Sequence, residues 1–419
     1  MSRKHETEVL VVGAGPVGLF TALCLAYRGV RVQIIDEEFR TSAHSYALVL
    51  HPRSLELLED LGIATDILRQ GYRVETAAFY RGQERAGEMR FAECGGKFPY
   101  ALAVPQSLLE SLLEDQLRLM GIKVQWNHRA TALSMADTHV AATIDKLTRG
   151  SCGYAVATTE WVAEKTMHSE AAFVVGADGH RSIVRKSLGI EYEAASDSES
   201  FAVFEFQADA DLEYEVRIVF DGNTSNVLWP LPFGRFRWSF QLEHPGSKVE
   251  PRSKRRLTVP IGRQVFPHLT RDDLTAFIQA RAPWFDWDVQ QLDWAMEVRF
   301  DRRLARQFGR NRCWLAGDSA HLTGPIGGQS LNMGLREACD LAVTLSAILR
   351  DGAPLDSLDG YSERYSGEWR KLLGLGGGLT PSDQAQTWAK DCRTRILPCI
   401  PATGDDLANL AMQIGLTSV

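Results

Sequence analysis

A glycine-rich turn near the start of the chain constrains the fold more than any other feature. The surrounding sequence, TEVLVVGAGPVGLFTALCLAYRGVRVQIIDEE, reads as an apolar strand, a turn, a helix and a second strand. Gly13, Gly15 and Gly18 form the pattern G-x-G-x-x-G, which permits a tight turn, close approach of a pyrophosphate and tight helix packing. Asp36 ends the second strand, near the spacing of about 20 residues at which an acid accepts hydrogen bonds from ribose. The stretch predicts a Rossmann-like unit that binds FAD or NAD(P).

Two later strands end in the same manner. AAFVVGADG ends in Asp178 and Gly179, and CWLAGD ends in Gly317 and Asp318. Because open α/β sheets bind ligands beyond the carboxyl ends of their strands, we expect these ends to share one crevice. The alternative is that Asp178 binds no ligand and serves only as the N-cap of the helix that follows it.

The loop after the third strand indicates FAD. The ribityl chain and isoalloxazine ring of FAD need a second polar anchor and a flat backbone wall, and Asp318 suits the ribityl hydroxyls. The loop GPIGGQSLNMG offers backbone N–H groups at the start of a helix over 329–346. The dipole of that helix can stabilise negative charge on a reduced ring.

In this order and spacing the motifs resemble the class A FAD-dependent aromatic monooxygenases, a family that includes p-hydroxybenzoate hydroxylase and the phenol and polyketide hydroxylases. The resemblance covers roughly residues 7–370. It implies that FAD is the cofactor and that NAD(P)H is a transient co-substrate that reduces it. It further implies that O2 adds to the reduced ring and that the flavin hydroperoxide hydroxylates a phenolic or polyketide-like small molecule.

The resemblance also assigns site residues. Those expected to bind the cofactor are Gly13, Gly15, Gly18, Asp36, Arg53, Gln106, Asp178, Gly317, Asp318, Pro325, Gly328, Leu331 and Asn332. Arg53 is expected to reach the FAD phosphates, and Pro325 and Gly328, in the loop beside the ring, are the catalytic candidates. Two residues depart from the family pattern: Ser330 stands where a glycine is usual, and Glu37 stands where an arginine is usual.

The fold predicted is α/β, with a parallel-sheet FAD-binding domain and an inserted, mostly antiparallel β-sheet substrate domain. Alternating apolar and polar residues in FAVFEFQADADLEYEVRIVF and SNVLWPLPFGRFRWSFQLE indicate the antiparallel strands. The expected ranges are 1–75, 100–195 and 300–375 for FAD binding, 76–99 and 196–299 for the substrate, and 376–419 for a C-terminal tail. A flexible link over 374–378 and one helix, DDLANLAMQIGL, are expected in the tail.

Trp229, Phe233 and Trp238 are the substrate candidates, because an aromatic roof suits a flat apolar molecule. Each can equally fill the core of a sheet. The polar candidates nearest the motifs are His44, Tyr46, His51 and His321, for which a structural or cofactor-packing role is favoured over acid-base chemistry.

Composition excludes several other classes of function. A net charge of −7 and a pI near 5.9 give no electrostatic basis for nucleic-acid binding. No stretch reaches the roughly 18 apolar residues of a membrane span. Seven scattered cysteines without a CxxC pair indicate reduced thiols in a cytoplasmic protein. The histidine spacing suggests no metal site, and nothing in the sequence specifies an oligomeric state.

Three functions other than hydroxylation could use the same cofactor site. A reductase or dehydrogenase of an isoprenoid or alkene substrate would consume no oxygen. A flavin-dependent halogenase would carry a WxWxIP motif, which FRWSFQL does not match. A protein that keeps FAD only structurally or as a sensor would hold flavin that no pyridine nucleotide reduces.

Overall fold

Two large mixed β-sheets organise the chain. The computed structural model describes residues 7–39, 49–152, 158–243, 258–261, 264–267 and 269–418. The described strands are β1 (Thr7–Val12), β2 (Val32–Ile35), β3 (Val49–Leu50), β4 (Tyr72–Val74), β5 (Thr76–Arg81), β6 (Glu84–Arg90), β7 (Ala101–Ala103), β8 (His128–Met135), β9 (Val140–Cys152), β10 (Thr158–Gly176), β11 (Tyr192–Ala208), β12 (Glu215–Asp221), β13 (Thr224–Leu231), β14 (Arg235–Leu242), β15 (Thr258–Ile261), β16 (Gln264–Pro267), β17 (Val289–Ala305), β18 (Gly309–Arg310), β19 (Cys313–Leu315), β20 (His321–Leu322), β21 (Leu379–Pro381) and β22 (Leu416–Ser418).

Helices cover and connect these sheets. Those described are α1 (Pro16–Tyr27), α2 (Pro52–Asp60), α3 (Ala64–Gln70), α4 (Gln106–Leu119), α5 (Ile183–Ser187), α6 (Arg271–Arg281), α7 (Gln329–Asp351), α8 (Ser357–Leu372), α9 (Thr387–Ile396) and α10 (Asp405–Gln413), with 3-10 turns at Phe91–Cys94, Gly317–Ser319 and Leu397–Cys399. None of these helices combines the length and apolarity that crossing a bilayer requires.

The first sheet brings three turns to one edge. Seven of the described strands form it, in the order β18-β19-β10-β1-β2, with β9 and β8 added beside β10. β19, β10, β1 and β2 run parallel, while β9 and β18 pair antiparallel with their neighbours. At its centre Val11 pairs with Val175 on one side and Ile34 on the other. The turns after β1, β10 and β19 therefore leave the sheet at the same edge.

Helices α1 and α7 pack against each other at that edge. Every residue of α1 from Gly18 to Ala26 is buried, as expected for a helix between a sheet and a second helix. Gly334 in α7 permits the close approach, since a methyl group there would lie 2.6 Å from Val17 Cγ2 and 3.2 Å from Gly317 Cα. The starts of both helices consequently lie beside the turn after β19.

The second sheet has two buried faces. Eight described strands form it, in the order β20-β17-β11-β14-β13-β12-β5-β6, and all neighbours pair antiparallel except β12 with β5. Trp229 packs into the main core, which the first sheet shares, whereas Trp238 packs into a separate core beneath α6. The reason is the side-chain period of two: Trp238 pairs with Leu228, the residue next to Trp229, so the two tryptophans lie on opposite faces.

The C-terminal segment is more structured than the sequence predicts. Besides α10, which matches the expected helix, it contains α9 and a small sheet of β21 and β22. Trp388 of α9 is 6% exposed and stacks on Phe79 of the second sheet with ring centroids 5.2 Å apart. Gly87 on the neighbouring strand leaves room for this ring, since a methyl group there would lie 2.8 Å from it. The segment thus belongs to the main core.

We predict that Trp388→Ala lowers the free energy of unfolding by about 3–5 kcal/mol, because it removes a buried ring and leaves a cavity. Urea unfolding followed by far-UV circular dichroism measures this. Met412→Ala in α10 is the control, since Met412 is 53% exposed and its loss is expected to cost less than about 0.5 kcal/mol. Equal effects of the two substitutions would show that the segment contributes nothing to the core.

Candidate active site

A cavity of about 310 Å³ lies beyond the edge where the three turns meet. The turns contribute Gly15, Gly179 and Asp318 to its lining. The loop before α7 and the first turn of that helix form a second side, and Trp229 and Phe300 of the second sheet form a third. The cavity is therefore bounded by both sheets.

The three glycines of the first turn have different physical roles. Gly13 has φ +103°, and a methyl group on it would lie 2.2 Å from Ala177 O. A methyl group on Gly18 would lie 2.0 Å from Gly13 O. Gly15 lines the cavity, and a methyl group there would meet no protein atom within 4 Å. Packing therefore requires the first and third glycines, while the second keeps space free for a ligand.

Asp36 holds the turn in place. Its Oδ2 accepts a hydrogen bond from Ala14 N at 2.6 Å, and its Oδ1 accepts one from Glu38 N at 2.7 Å. Burial raises the pKa of this carboxyl group, partly offset by the two backbone donors. The side chain does not line the cavity, and its remaining lone pairs are what a ribose could use.

Asp178 accepts hydrogen bonds from the first turn of the helix that follows it, but the N-cap of α5 is Ser182, not Asp178. Its Oδ2 accepts hydrogen bonds from Ile183 N at 2.7 Å and Val184 N at 3.2 Å, in the first turn of α5. Burial raises its pKa, and it does not line the cavity, although Gly179 does. Further along α5, Arg185 donates from Nη1 to Ser319 O at 2.6 Å. The second turn is thereby tied to the third.

A buried carboxylate that the sequence analysis missed anchors the third turn. Glu337 Oε2 accepts a hydrogen bond from Gly317 N at 2.9 Å and lies 2.9 Å from His321 Nε2, while Oε1 accepts one from Trp369 Nε1 at 2.8 Å. His321 and Glu337 are both fully buried, which indicates a structural role for His321. The sequence feature that could have identified Glu337 is its place, as a glutamate, among the buried positions of the helical pattern of α7.

Asp318 is the acid that faces the cavity. Its carboxylate opens onto the cavity, and Tyr192 OH donates to its backbone oxygen at 3.0 Å. The enclosing protein limits hydration, which raises the pKa of the carboxyl group. A ligand with hydroxyl donors would supply the hydrogen bonds that this carboxylate lacks toward the cavity.

The start of α7 presents unpaired polar groups to the same cavity. Gly328, the N-cap, has φ +65°, and a methyl group there would lie 2.3 Å from Val49 Cγ1. Gln329, Ser330 and Leu331 line the cavity in the first turn. Within the described residues, Ser330 Oγ and Gln329 Oε1 are buried without a hydrogen-bond partner. The free N–H groups of the helix and the Ser330 hydroxyl suit an anionic or acceptor-rich ligand, whereas Gln329 Oε1 is itself an acceptor.

Asn332, predicted to bind the cofactor, instead fixes the loop from within. Its Nδ2 donates to Val49 O at 2.9 Å and Gly328 O at 2.7 Å, and its Oδ1 accepts from His51 N at 2.7 Å. His51 Nε2 donates to Gly327 O at 2.8 Å, and burial lowers the pKa of His51 to about 3. Neither side chain lines the cavity, so both position the loop.

The C-terminal segment supports this loop from the other side. A methyl group on Gly327 would lie 2.5 Å from Pro398 O and 3.0 Å from Ile400 O. Gln329 Nε2 also donates to Ile400 O. The tail therefore forms the outer support of the loop that holds Pro325, which lines the cavity.

Arg53 and Gln106 differ in placement. Arg53 is half exposed, pairs with Glu56 Oε2 at 2.6 Å and does not line the cavity. Its proposed contact with phosphates would require the side chain to leave Glu56. Gln106 lines the cavity and donates from Nε2 to Glu110 Oε1 at 2.7 Å. His44 and Tyr46 lie outside the described residues.

The prediction of an aromatic roof needs correction. Trp229 lines the cavity, and its Nε1 donates to Ile326 O at 3.2 Å. Trp238 lies on the opposite face of the sheet, stacked on Phe240, and does not line the cavity. Phe233 is 86% exposed at a turn with φ +66°. The alternation of apolar and polar residues along a strand could not predict which aromatic residues face the cavity, because that depends on how the strands pair.

These features together fit FAD. An open glycine turn at the start of α1, an acid for hydroxyl groups and a helix start with unpaired polar groups face one cavity, as a dinucleotide cofactor with an extended ring requires. The geometry is thus that of an α/β protein with a dinucleotide-binding site. Residues 6–372 match the family model described as FAD binding domain, and the chain therefore belongs to that family of FAD-binding proteins.

Similar proteins are monooxygenases. The chain is 30% identical over 390 residues to "Uncharacterized aromatic compound monooxygenase YhjG" of Bacillus subtilis (strain 168), covering 91% of this chain and 68% of the relative. It is 26% identical over 419 residues to 6-methylpretetramide 4-monooxygenase of Streptomyces rimosus, covering 98% of this chain and 65% of the relative. The chain thus spans about two thirds of the length of these relatives.

A solved structure shares the fold. p-Nitrophenol 4-monooxygenase PnpA from Pseudomonas putida DLL-E4 superposes with a TM-score of 0.69 at 24% identity, covering 88% of this chain and 85% of that one. At this identity the likeness shows a common mixed α/β fold with mixed sheets.

We predict that Gly15→Ala weakens FAD binding by about tenfold or more without destabilising the cofactor-free protein, because the methyl group fills ligand space only. FAD affinity is measured by the change in flavin fluorescence on titration, and stability by urea unfolding. Gly367→Ala in α8, where a methyl group also meets no atom within 4 Å, is the matched control. Unchanged FAD affinity in Gly15→Ala would contradict the placement of the cofactor.

A second prediction concerns acid stability. The pKa of His51 lies at about 3 in the folded protein, below its ordinary value of 6.5. Between these pH values the unfolded chain binds a proton that the folded protein excludes. Stability due to this group is thus complete above pH 6.5 and is lost on acidification, by up to about 1.4 kcal/mol per pH unit.

His51→Gln should therefore lose about 2 kcal/mol less than the wild type when urea unfolding is compared at pH 7 and pH 5. Glutamine retains an N–H donor for Gly327 O but does not titrate. His168→Gln serves as the control because His168 is exposed. The same pH dependence in wild type and His51→Gln would rule out His51 as the source.

Proposed function

We propose that this protein is an FAD-dependent monooxygenase that uses NAD(P)H and O2 to hydroxylate an aromatic small molecule. The observation that carries the proposal is the single cavity in which Asp318 and the start of α7 face the aromatic residues Trp229 and Phe300. Such a cavity has one end suited to the polar parts of a flavin and another suited to an apolar ring. The monooxygenase relatives favour hydroxylation over the reductase and halogenase alternatives.

Specific residues are assigned to the cofactor in this proposal. The turn at Gly15 and the start of α1 would hold the pyrophosphate, and Asp36 would accept from the adenosine ribose. Asp318 would accept from the ribityl hydroxyls. The backbone around Pro325, Gly328 and Leu331 would lie beside the isoalloxazine ring.

When bound, FAD supplies electron transfer and oxygen activation. The residues of the chain position the ring, exclude water and stabilise charge. The hydrogen bond from Trp229 to Ile326 O joins the second sheet to the loop, which closes the cavity on that side. The N-terminal end of α7 would stabilise negative charge that develops on a reduced ring.

The domain division is part of the proposal. Ranges 1–75, 100–195 and 300–375 would bind FAD, and 76–99 with 196–299 would cover the substrate. In support, β5, β6, β12, β13 and β14 of the second sheet lie within the substrate ranges, as does most of β11 and β17, whereas β20 lies in the FAD range. Six cysteines are free thiols, which suits the proposed cytoplasmic location: Cys24, Cys94, Cys313, Cys339, Cys392 and Cys399.

The test is reduction and oxygen uptake by the FAD-loaded protein. NADH or NADPH is added without oxygen while the flavin absorbance is followed, with and without a panel of phenols and aromatic polyketides. We expect an aromatic substrate to accelerate bleaching of the flavin. In air, NAD(P)H oxidation should then consume O2, and one oxygen atom from ¹⁸O2 should enter the product.

Other results would select other functions. Saturation of an alkene without oxygen uptake would establish a reductase. Flavin that neither nucleotide bleaches would favour a halogenase supplied by a partner reductase, or a structural flavin. Gly15→Ala, in which FAD binding is weakened, must lose these reactions in proportion to the loss of bound FAD, whereas Gly367→Ala must retain them.

A further inference from the structure

A second, polar cavity of about 140 Å³ adjoins the flavin cavity. Thr323 and Gly324, in the loop before α7, line both cavities. The second cavity is lined further by the charged and polar side chains of Glu199, Asn223, Gln241, Arg302 and Arg395. A polar space therefore lies directly behind the loop that borders the proposed ring site.

Two hydrogen-bond donors in this wall have no acceptor. Within the described residues, Arg302 Nε and Thr323 Oγ1 are buried and make no hydrogen bond. Arg302 keeps only 17% of its side chain exposed, and its Nη1 lies 3.7 Å from Glu199 Oε1, too far for a good hydrogen bond. A buried guanidinium N–H without an acceptor is costly, so such groups in folded proteins commonly await a ligand or water.

The charge balance of the cavity favours an acceptor. Arg302 and Arg395 face one carboxylate, Glu199, and burial raises the pKa of that carboxyl group. Arg395 is already engaged, since its Nη1 donates to Thr224 O at 3.1 Å. With two arginines and one glutamate, the lining carries one more positive than negative formal charge, and Arg302 is the arginine whose Nε has no acceptor.

The loop at Thr323 and Gly324 borders both cavities. A methyl group on Gly324 would lie 3.1 Å from Glu199 Oε2, so the glycine keeps this carboxylate near the loop. Thr323 and Gly324 form the boundary that a substituent of a molecule beside Trp229 would cross to reach Arg302.

We propose that the polar cavity is the second half of the substrate site, and that Arg302 donates a hydrogen bond to a carboxylate or carbonyl oxygen carried by the aromatic substrate. Thr323 would add a second hydrogen bond to the same substituent. This inference rests on the proposed function and narrows its substrate class to aromatics with an oxygen acceptor. Arg302 is a specificity residue in this proposal, not a group that takes part in the chemistry.

The experiment measures binding without turnover. FAD-loaded protein is titrated, in the absence of NAD(P)H, with 4-hydroxybenzoate, 4-hydroxyacetophenone and 4-ethylphenol, and the shift in flavin absorbance reports affinity. These phenols are similar in size and carry a carboxylate, a carbonyl and no acceptor, respectively. We expect at least one acceptor ligand to bind about 10- to 100-fold more tightly than 4-ethylphenol.

Arg302→Met should abolish that preference while leaving the affinity for 4-ethylphenol unchanged. Thr323→Val, which keeps the side-chain shape, should weaken only the acceptor ligands, by about fivefold. Arg299→Met is the matched control, because Arg299 lies on the same strand but is 68% exposed. It should retain the wild-type preference.

The outcomes separate the inference from the proposed function. Equal affinity of wild type for all three phenols, or a preference that survives in Arg302→Met, would overturn the polar site. Either result would leave the proposed function standing if aromatics still stimulate oxygen uptake. Preference for 4-hydroxybenzoate alone identifies a carboxylate substrate, and preference for both acceptor ligands identifies a carbonyl or carboxylate substrate.

Discussion

The buried carboxylate of Glu337 is the contact on which the cofactor edge depends. It accepts hydrogen bonds from Gly317 N and Trp369 Nε1 and lies against His321. Because Glu337 is fully buried, removing one of its hydrogen-bond partners would leave a polar group unsatisfied at a cost of about 1–3 kcal/mol. These contacts hold α7, α8 and the turn after β19 in one arrangement. Asp318 lines the cavity because Gly317, the residue before it, is held by its hydrogen bond to Glu337.

The wall beside the helix start is built from parts of the chain that are distant in sequence. Asn332 joins α7 to β3, Gln329 bonds the C-terminal segment at Ile400, and Trp229 bonds the loop from the second sheet. A loop held from three directions keeps its shape without a ligand, which lowers the entropic cost of binding. The same contacts fix one wall of the cavity.

The parts of the site that sequence could predict are those with local causes. The strands and turns at Gly13, Asp178 and Asp318 follow from apolar runs that end in glycine. The parts it could not predict depend on long-range register. Trp238 faces the second core because it pairs with Leu228, and Arg302 borders the polar cavity because β17 runs beside β11. A shift of one residue in pairing would exchange both faces.

The sequence by itself determined the class of fold, the order of the three turns and the cofactor family, because glycine spacing and strand patterning act within a few residues. Only the tertiary structure decided which polar groups are left for ligands. The Asn332 side chain has its hydrogen bonds within the protein, and one oxygen of Asp178 accepts from backbone N–H groups, whereas Asp318 and Ser330 line the cavity. The reason is that a side chain is available to a ligand only when the surrounding chain leaves it unpaired, and those neighbours come from distant segments.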